Sequence, residues 1–311
     1  MILTVTLNAA LDVTYHVDAL TLHTSHRVHA VAVRAGGKGI NVARVLHALG
    51  HQVVATGLAG GADGQRVRAE LRAAGIAEEF VPISGETRRT VTVVDDDATV
   101  FNEPGPLVTP GEWRCFRDTY RSLLARADAV VLAGSLCRGL PYDGYAELCT
   151  LAASHGVPTV LDADGEVLRH GLAGRPTVVK PNVEEMGRVT GDTDALAGAR
   201  TLRGLGAATV VVSRGPAGLL CLAPTGTWSA VSPAPVSGNP TGAGDAAVAA
   251  VAAGMVTGLP WPQRLADAAA LSAAAVLAPL AGDIDQQAYR RLLPHIRSQR
   301  LEETDATHPY R

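Results

Sequence analysis

The sequence predicts an α/β fold in which a mostly parallel central sheet is covered by helices, with a small antiparallel sheet beside it. Short apolar runs rich in β-branched residues alternate with segments of helical periodicity along most of the chain. Runs such as 129–133 are apolar throughout, which is typical of parallel strands buried on both faces. Two other segments, 13–33 and 88–102, alternate apolar with polar residues and therefore indicate antiparallel strands with one face in water.

The individual elements follow from these periodicities. Strands are predicted at 2–7, 53–58, 129–133, 157–162, 176–179, 208–213, 217–222 and 226–231, and helices near 38–49, 63–74, 110–125, 142–154 and 193–204. Two alanine-rich helices are predicted after the last of these strands.

These elements divide the chain into a large domain, a lid and a tail. The large α/β domain takes residues 1–12, 34–87 and 103–298, and the β lid takes residues 13–33 and 88–102. We expect the lid to cover the active edge of the large domain. Residues 299–311 are polar and are predicted to form a flexible tail.

Composition excludes several classes of partner. The chain has 311 residues, of which 47% are hydrophobic, and a net charge of −3. It is long enough for one large core, and it lacks the basic surface that binding to nucleic acid or an anionic membrane requires. It starts with an apolar strand rather than a signal peptide, and its four cysteines form no C-x-x-C pair. We therefore expect a cytoplasmic protein with reduced thiols that binds neither nucleic acid nor a membrane.

The most informative segment is a glycine-rich turn that leads directly into an apolar helix. The sequence GNPTGAGD at 238–245 precedes eight small apolar residues. Free backbone N–H groups at the positive end of a helix dipole make such a turn a phosphate site. The carboxylate of Asp245 would oppose anion binding unless it accepts the proton of a hydroxyl that attacks phosphorus. The turn alone leaves open the alternative that Asp245 only caps the helix.

Lysine occurs at only two positions, Lys38 in GGKGINVA and Lys180 in VVKPNVEEM, so arginine supplies the rest of the basic charge. A compact ammonium can act where a planar guanidinium does not fit. The two positions therefore support a functional role, with chance placement as the alternative.

Other familiar motifs do not account for the chain. No G-x-x-x-x-G-K-[ST] sequence is present, and no G-x-G-x-x-G follows the first strand, which argues against a P-loop or a dinucleotide fold. His23, His26 and His29 are spaced by three, so in a strand they alternate between its faces. This spacing favours solvated lid residues over a metal site.

Several motifs, in one order along nearly the whole chain, resemble those of ribokinase-like carbohydrate kinases of the phosphofructokinase-B family. Within that family the chain is most similar to 1-phosphofructokinases and tagatose-6-phosphate kinases. The matching motifs are 36–43, 57–64, Thr87-Arg88, 102–105, 134–136, 180–185, 213–215 and 242–245. The resemblance implies a ribokinase-like three-layer fold with a β lid, and the use of ATP and Mg²⁺.

The resemblance also implies roles for individual residues. At the sugar end, Asp12 and Asn41 would hold hydroxyls, Gly37 would allow close approach, and Arg88 would grip the substrate's phosphate. Lys38, Ser135, Arg27 and Arg138 complete the expected sugar-phosphate site. At the nucleotide end, the expected residues are Lys180, Asn182, Glu185, Ser213, Gly215 and Thr241, with Asn182 and Glu185 ordering magnesium through water. Asp245 would be the base, and the N–H groups of Gly242, Ala243, Gly244 and Asp245 would stabilise the developing charge.

The chain departs from the family pattern at three places. Asn8-Ala9 stands where relatives often have Asn-Pro, Thr90 where they often have Asn, and Cys137-Arg138 where they often have Pro-Pro. The change at Thr90 could loosen the hold on a sugar hydroxyl, and Arg138 adds a cation near the sugar end.

The function implied by the resemblance is ATP-dependent phosphorylation of a phosphorylated ketohexose to a bisphosphate. Fructose 1-phosphate, tagatose 6-phosphate and fructose 6-phosphate are the candidate substrates. Two alternatives stay open, a kinase of an unphosphorylated sugar or nucleoside and a non-catalytic sugar-phosphate sensor. Relatives also lead us to expect a homodimer through the lid.

Overall fold

The structure is a computed structural model that describes residues 1–301. The strands are β1 Ile2–Thr6, β2 Ala10–His16, β3 Ala30–Gly36, β4 Val53–Gly60, β5 Ala77–Ile83, β6 Arg88–Val94, β7 Ala98–Asn102, β8 Ala129–Ala133, β9 Thr159–Asp162, β10 Val178–Val179, β11 Thr209–Ser213, β12 Leu219–Ala223, β13 Gly226–Val231 and β14 Arg297–Leu301. The helices are α1 Lys38–Ala48, α2 Gly61–Ala73, α3 Pro110–Leu124, α4 Gly144–Ser154, α5 Gly165–Gly171, α6 Val183–Thr190, α7 Ala195–Gly204, α8 Ala243–Val256, α9 Trp261–Val276 and α10 Gln286–Leu292.

The large sheet has the strand order β14-β13-β12-β11-β10-β9-β8-β1-β4-β5. The strands from β11 to β5 run parallel, and β12, β13 and β14 are antiparallel to their neighbours. One hydrophobic cluster, which includes residues of α1, α8 and α9, covers one face of the sheet, and a second cluster with residues of α3, α4 and α7 covers the other. The predicted three-layer α/β fold is confirmed.

The lid is a four-stranded sheet with the order β3-β2-β6-β7. Its outer pairs are antiparallel, as expected, whereas the central pair β2–β6 is parallel. Cross-strand register places Asp12, Arg34, Thr90 and Asn102 in one row across the sheet. The neighbouring row, on the opposite face, contains Val33, Val13, Val91 and Phe101. The lid therefore has a polar face and an apolar face.

The predicted tail needs a correction. Residues 299–301 belong to β14, which pairs with β13 from Thr227↔Leu301 to Val231↔Arg297. The strand is polar and mostly exposed, so its sequence resembles a tail, yet its backbone covers the otherwise open edge of β13. The rest of the predicted tail, 302–311, lies outside the described residues. Within residues 1–301, every helix is too short or too polar to cross a lipid bilayer.

Candidate active site

The predicted site residues converge at the carboxyl ends of the parallel strands, where open α/β sheets bind ligands. Ser135 follows β8, Lys180 follows β10 and Ser213 ends β11. The glycine-rich turn at the start of α8 and the first turn of α1 lie at the same edge, because Asn41 of α1 contacts Asp245 of α8. The fold thus brings together residues from both halves of the chain.

The turn at the start of α8 is preorganised for an anion. Its N-cap, Gly242, has a left-handed backbone with φ of 88°. A Cβ there would lie 3.0 Å from the Cα of Ala281, so both conformation and space require glycine. Among the described residues, the N–H groups of Gly242, Gly244 and Asp245 have no hydrogen-bond partner. The N–H of Ala243 donates to Pro240 O at 3.2 Å, so this fourth predicted donor is already occupied.

Asp245 is not the cap of α8, because Gly242 holds that position and the helix start has no side-chain cap. Its carboxylate is 6% exposed, and its Oδ2 accepts a hydrogen bond from Asn41 Nδ2 at 2.8 Å. Burial, with a smaller contribution from the charge of Asp162, raises the pKa of Asp245 to about 6. Lys38, the Asn41 hydrogen bond and Lys180 act in the opposite direction. The group is therefore mostly ionised at neutral pH, with a pKa suited to a general base.

Both lysines of the chain lie in this charged cluster. Lys38 Nζ is 3.3 Å from Asp162 Oδ1 and 3.4 Å from Glu185 Oε1. Lys180 is buried, and its Nζ lies 3.7 Å from the same Asp162 oxygen. Burial alone would lower the pKa of Lys38, but Asp162, Glu185 and Asp245 outweigh it and raise that pKa above its usual value. Both ammonium groups can therefore offset phosphate charge next to Asp245.

Asp162 was absent from the sequence-based site. It ends β9 and is 1% exposed, and its Oδ2 is buried without a hydrogen-bond partner in the described part of the chain. A buried carboxylate oxygen left unpaired is costly, so this atom calls for a ligand or an ion. A signal was available, because a charged residue at the carboxyl end of a fully buried parallel strand is rare away from functional sites.

The Asn182–Glu185 pair has a structural role that the sequence analysis did not consider. Asn182 caps α6, its Oδ1 accepting from the Glu185 N–H at 2.8 Å, while Glu185 Oε2 accepts from the Asn182 N–H at 2.9 Å. This reciprocal capping box fixes both side chains. It leaves Glu185 Oε1 directed towards Lys38 in the charged cluster.

A cavity of about 610 Å³ opens beside the turn and is bounded mainly by apolar atoms. Its walls include Asn182, Ser213, Gly215, Ala243 and Gly244 from the predicted nucleotide site. Much of the remaining wall comes from Ser232, from residues 234–238 and from Ser272, Ala273 and Val276 of α9, which were not among the predicted site residues. Thr241 does not line it and is exposed. A mostly apolar groove that leads to free N–H groups fits a nucleoside with its phosphates at the turn.

Asp12, predicted for the sugar end, lies on the polar face of the lid. Burial raises the pKa of Asp12 to about 6, while a Thr90 hydrogen bond, Arg88 and Arg34 lower it. A separate pocket of about 430 Å³ is lined by Arg88, Arg138 and the 103–107 loop. Arg27 is exposed and has no ion pair or hydrogen bond within residues 1–301, so it is not joined to this pocket.

Comparison with known proteins decides the family. A family model described as pfkB family carbohydrate kinase matches residues 5–287. The chain belongs to this family. It is therefore an ATP-dependent sugar kinase. It is 35% identical over 265 residues to a tagatose-6-phosphate kinase of Staphylococcus epidermidis, an alignment that covers 82% of this chain and 86% of the relative.

Solved structures agree with this assignment. The phosphofructokinase-2 of Escherichia coli in complex with fructose-6-phosphate is 28% identical, with a TM-score of 0.86, and covers 94% of this chain and 98% of its own. A 1-phosphofructokinase candidate from Thermotoga maritima is also 28% identical, with a TM-score of 0.87 and coverage of 97% of this chain and 100% of its own. The kinase therefore shares the full fold of these enzymes, including the lid.

Proposed function

We propose that this kinase transfers the terminal phosphoryl group of ATP to a sugar that already carries a phosphate, producing a bisphosphate. One observation carries the proposal: a buried, ionised Asp245 stands beside three free N–H groups, at the end of the apolar groove. The substrate class is supported by the two arginines of the neighbouring pocket and by the relatives named for tagatose-6-phosphate kinase and phosphofructokinase. Tagatose 6-phosphate, fructose 6-phosphate and fructose 1-phosphate are the candidates.

The mechanism assigns the chemical step to Asp245. Its carboxylate accepts the proton of the sugar hydroxyl as that oxygen attacks the terminal phosphorus. The N–H groups of Gly242, Gly244 and Asp245 donate to the phosphoryl oxygens as these gain charge, and one such donor is worth about 3 to 4 kcal/mol in the barrier. Lys38 and Lys180 stabilise the same negative charge. Asn41 keeps the base oriented through its hydrogen bond to Oδ2.

The residues present also fit a magnesium ion. The unpaired Oδ2 of Asp162 and the nearby Glu185 are the hard oxygen ligands that Mg²⁺ prefers. The described residues contain no group of three or more metal-ligating side chains, which suits an ion held by one or two carboxylates, water and phosphate oxygens. Asp162 and Glu185 would hold the ion, with Asn182 contributing through water. When bound, it would neutralise phosphate charge.

The sugar-binding roles are part of the same proposal. Asp12 and the backbone near Gly37 would hold the hydroxyls, and Arg88, Arg138 and Ser135 the phosphate. Ser213 and Gly215 would line the nucleotide site, with Thr241 near the phosphates. The chain's four cysteines are free, which is consistent with the cytoplasmic location that we propose.

We further propose that a second copy packs on the apolar face of the lid. Val31, Val33 and Phe101 are 58%, 52% and 55% exposed on this side. Val31 and Val33 lie on the edge strand β3 and Phe101 on the opposite edge strand β7. Exposed apolar side chains on one face of a sheet are typical of protein–protein contacts. A homodimer through the lid would cover them.

The test is a coupled assay for ADP release with tagatose 6-phosphate, fructose 6-phosphate, fructose 1-phosphate and the corresponding free sugars. We expect sugar phosphates to be turned over with kcat/KM at least about 100-fold above the free sugars, because the pocket's arginines bind the phosphate. Activity confined to free sugars would overturn the substrate class. Absence of activity with all of these sugars, in a protein that binds sugar phosphates, would favour a sensor.

A further inference from the structure

The sugar end is organised around a buried residue that has no part in the mechanism above. Asn8 follows β1 and is 5% exposed. Its backbone oxygen accepts a hydrogen bond from Arg88 Nε at 3.2 Å, and its side-chain Nδ2 donates to Ser135 Oγ at 3.1 Å. Asn8 thus contacts two of the residues that would bind the substrate's phosphate.

The orientation of the Asn8 amide is dictated by its surroundings. Its Nδ2 lies 3.5 Å from the carbonyl oxygens of both Pro104 and Leu136, which can only accept hydrogen bonds. On the other side, the thiol of Cys137 lies 3.3 Å from Asn8 Oδ1 and can donate to it. Gly105 completes the enclosure, since a Cβ there would lie 2.2 Å from Oδ1. The amide nitrogen therefore faces acceptors and the amide oxygen faces a donor.

This orientation fixes the direction of the Ser135 hydroxyl. A serine has one O–H hydrogen and accepts through its lone pairs. Because Ser135 Oγ accepts from Asn8, its own hydrogen points elsewhere, and Ser135 is exposed at the open side of the site. Its O–H has no acceptor within residues 1–301. Ser135 is thus held as a hydrogen-bond donor.

The arginines offer further donors. Arg88 uses Nε on Asn8 and Nη1 on Thr90 Oγ1 and Glu103 O, so Nη2 has no partner in the described chain. Arg138 uses Nε on Gly105 O and leaves both Nη groups unpaired in the same part of the chain. The pocket also contains Glu86 and Glu103. One carboxylate oxygen of Glu86 accepts a hydrogen bond from the backbone N–H of Asp63, and one of Glu103 accepts from the backbone N–H of Arg89. A phosphate, which has several acceptor oxygens, matches this set better than a sugar hydroxyl.

We infer that Asn8 is a positioning residue whose side chain sets Ser135 as a donor for the phosphate of the acceptor sugar, beside the backbone oxygen that anchors Arg88. The inference rests on the proposed function, because it assumes that the substrate is phosphorylated. Cys137, one of the chain's departures from the family pattern, supports the arrangement, because its single S–H hydrogen has Leu7 O at 3.0 Å and Asn8 Oδ1 at 3.3 Å as alternative acceptors.

The test measures binding and turnover separately in the full-length protein. Asn8→Asp replaces the donor by an acceptor, so Ser135 would turn its hydrogen inward, and Asn8→Ala lets the hydroxyl turn towards the vacated carbonyls. Calorimetric titration with tagatose 6-phosphate or fructose 6-phosphate, whichever the parent binds, should show Kd raised by about 10- to 100-fold in both variants. Kd for a non-hydrolysable ATP analogue should stay within about threefold of the parental value. A general loss of structure would raise this Kd as well. Gln52→Glu, which makes the same amide-to-carboxylate change before β4, is the control.

A double-mutant comparison tests whether Asn8 acts through Ser135. In the Ser135→Ala background, Asn8→Ala should raise Kd for the sugar phosphate by less than about a further threefold, because the hydroxyl that Asn8 orients is gone. The inference would be overturned if the folded Asn8→Ala variant bound the sugar phosphate with parental affinity. It would also be overturned if the effects of the two substitutions on Kd were fully multiplicative. If the parent binds sugar phosphates but turns over none, the proposed function fails while the role of Asn8 stands. If the parent does not bind them, both fail.

Discussion

At the scale of single residues, the proposed mechanism depends on a carboxylate placed where an anion site would normally exclude one. Asp245 is buried at the start of α8, close to the phosphates that the turn would bind. Two features keep it usable at neutral pH: the hydrogen bond from Asn41, and the two lysines that offset the effect of Asp162. A base of this kind is ionised in the resting protein and protonated as the reaction proceeds.

The raised pKa of Asp245 predicts a specific pH dependence. We expect kcat/KM to fall below a pH of about 6, as Asp245 is protonated. The pKa of Asp12 is also raised to about 6. Its protonation should therefore steepen the fall, so that the slope of log(kcat/KM) against pH lies between one and two. A profile measured from pH 4.5 to 8 checks this, and a flat profile down to pH 5 would contradict it.

The same shifts distinguish loss of activity from unfolding. Both carboxyls bind protons more tightly in the folded state, since their pKa lies above the unfolded value of about 3.9. Their contribution to stability therefore increases as the pH falls from about 6 to 4, while activity declines. Replacing Asp245 by Asn at pH 7 should accordingly leave the melting temperature unchanged or raise it. A drop of more than a few degrees would show that the carboxylate stabilises the fold.

Candidate site residues could be predicted from sequence where they stand in a recognisable motif. They were missed where only the folded chain brings them to the site. Lys38, Lys180 and Asp245 stand in recognisable motifs, and the structure places them in one cluster. Asp162 ends an otherwise ordinary strand, and only the strand order shows that it faces both lysines. Arg27 is the opposite case, because its charge suggested a place at the sugar site that its position on the lid does not support.

At the scale of elements, α6 shows how one pattern can serve structure and chemistry together. The capping box of Asn182 and Glu185 starts the helix, and the second oxygen of Glu185 contacts Lys38 in the charged cluster. The N-x-x-E pattern therefore has a structural cause as well as the proposed link to magnesium.

Two substitutions separate these roles. Glu185→Gln keeps an oxygen that accepts from the Asn182 N–H, so the unfolding free energy should change by less than about 0.5 kcal/mol, while the Mg²⁺ concentration for half-maximal activity should rise. Glu185→Ala keeps the Asn182 cap but loses the reciprocal hydrogen bond to the Asn182 N–H, and should cost about 0.5 to 1.5 kcal/mol. Chemical denaturation and a magnesium titration measure the two effects. An unchanged magnesium requirement in Glu185→Gln would remove Glu185 from the proposed metal site.

Element prediction failed mainly for short segments. The helices α5, α6 and α10 have only 7, 8 and 7 residues, so their apolar positions do not establish a helical period. Strand β14 was missed because an exposed edge strand has no apolar alternation. Longer elements such as α3 and β8 were predicted to within one residue of their observed ends.

At the scale of the whole molecule, the lid would join two tasks, since its polar face carries Asp12 of the proposed sugar site and its apolar face exposes Val33 and Phe101. The register that places Asp12 beside Arg34 also places Val33, Val13, Val91 and Phe101 in a row on the other side. The presence of a small β lid followed from sequence alternation. Its parallel central pair did not, because strand direction depends on where the connecting chain runs.

The proposed lid dimer predicts the effect of one surface change. Phe101→Asp places a charge on the apolar face at the edge strand β7, so it should shift the sedimentation coefficient from dimer to monomer at micromolar concentration. Val100→Asp, which places the same charge on the opposite face of β7, is the control. A parental protein that sediments as a monomer, or a Phe101→Asp variant that stays dimeric, would exclude this interface.

Single-turnover phosphoryl transfer by Asp245→Asn tests most directly whether Asp245 is the base. The amide keeps the size of the side chain and can still accept from Asn41, but it cannot take up the substrate's proton. We predict a rate reduced by about 100-fold or more, with Kd for ATP and for the sugar phosphate within a few fold of the parent. A variant that binds both substrates and transfers the phosphoryl group at a near-parental rate would show that Asp245 is not the base.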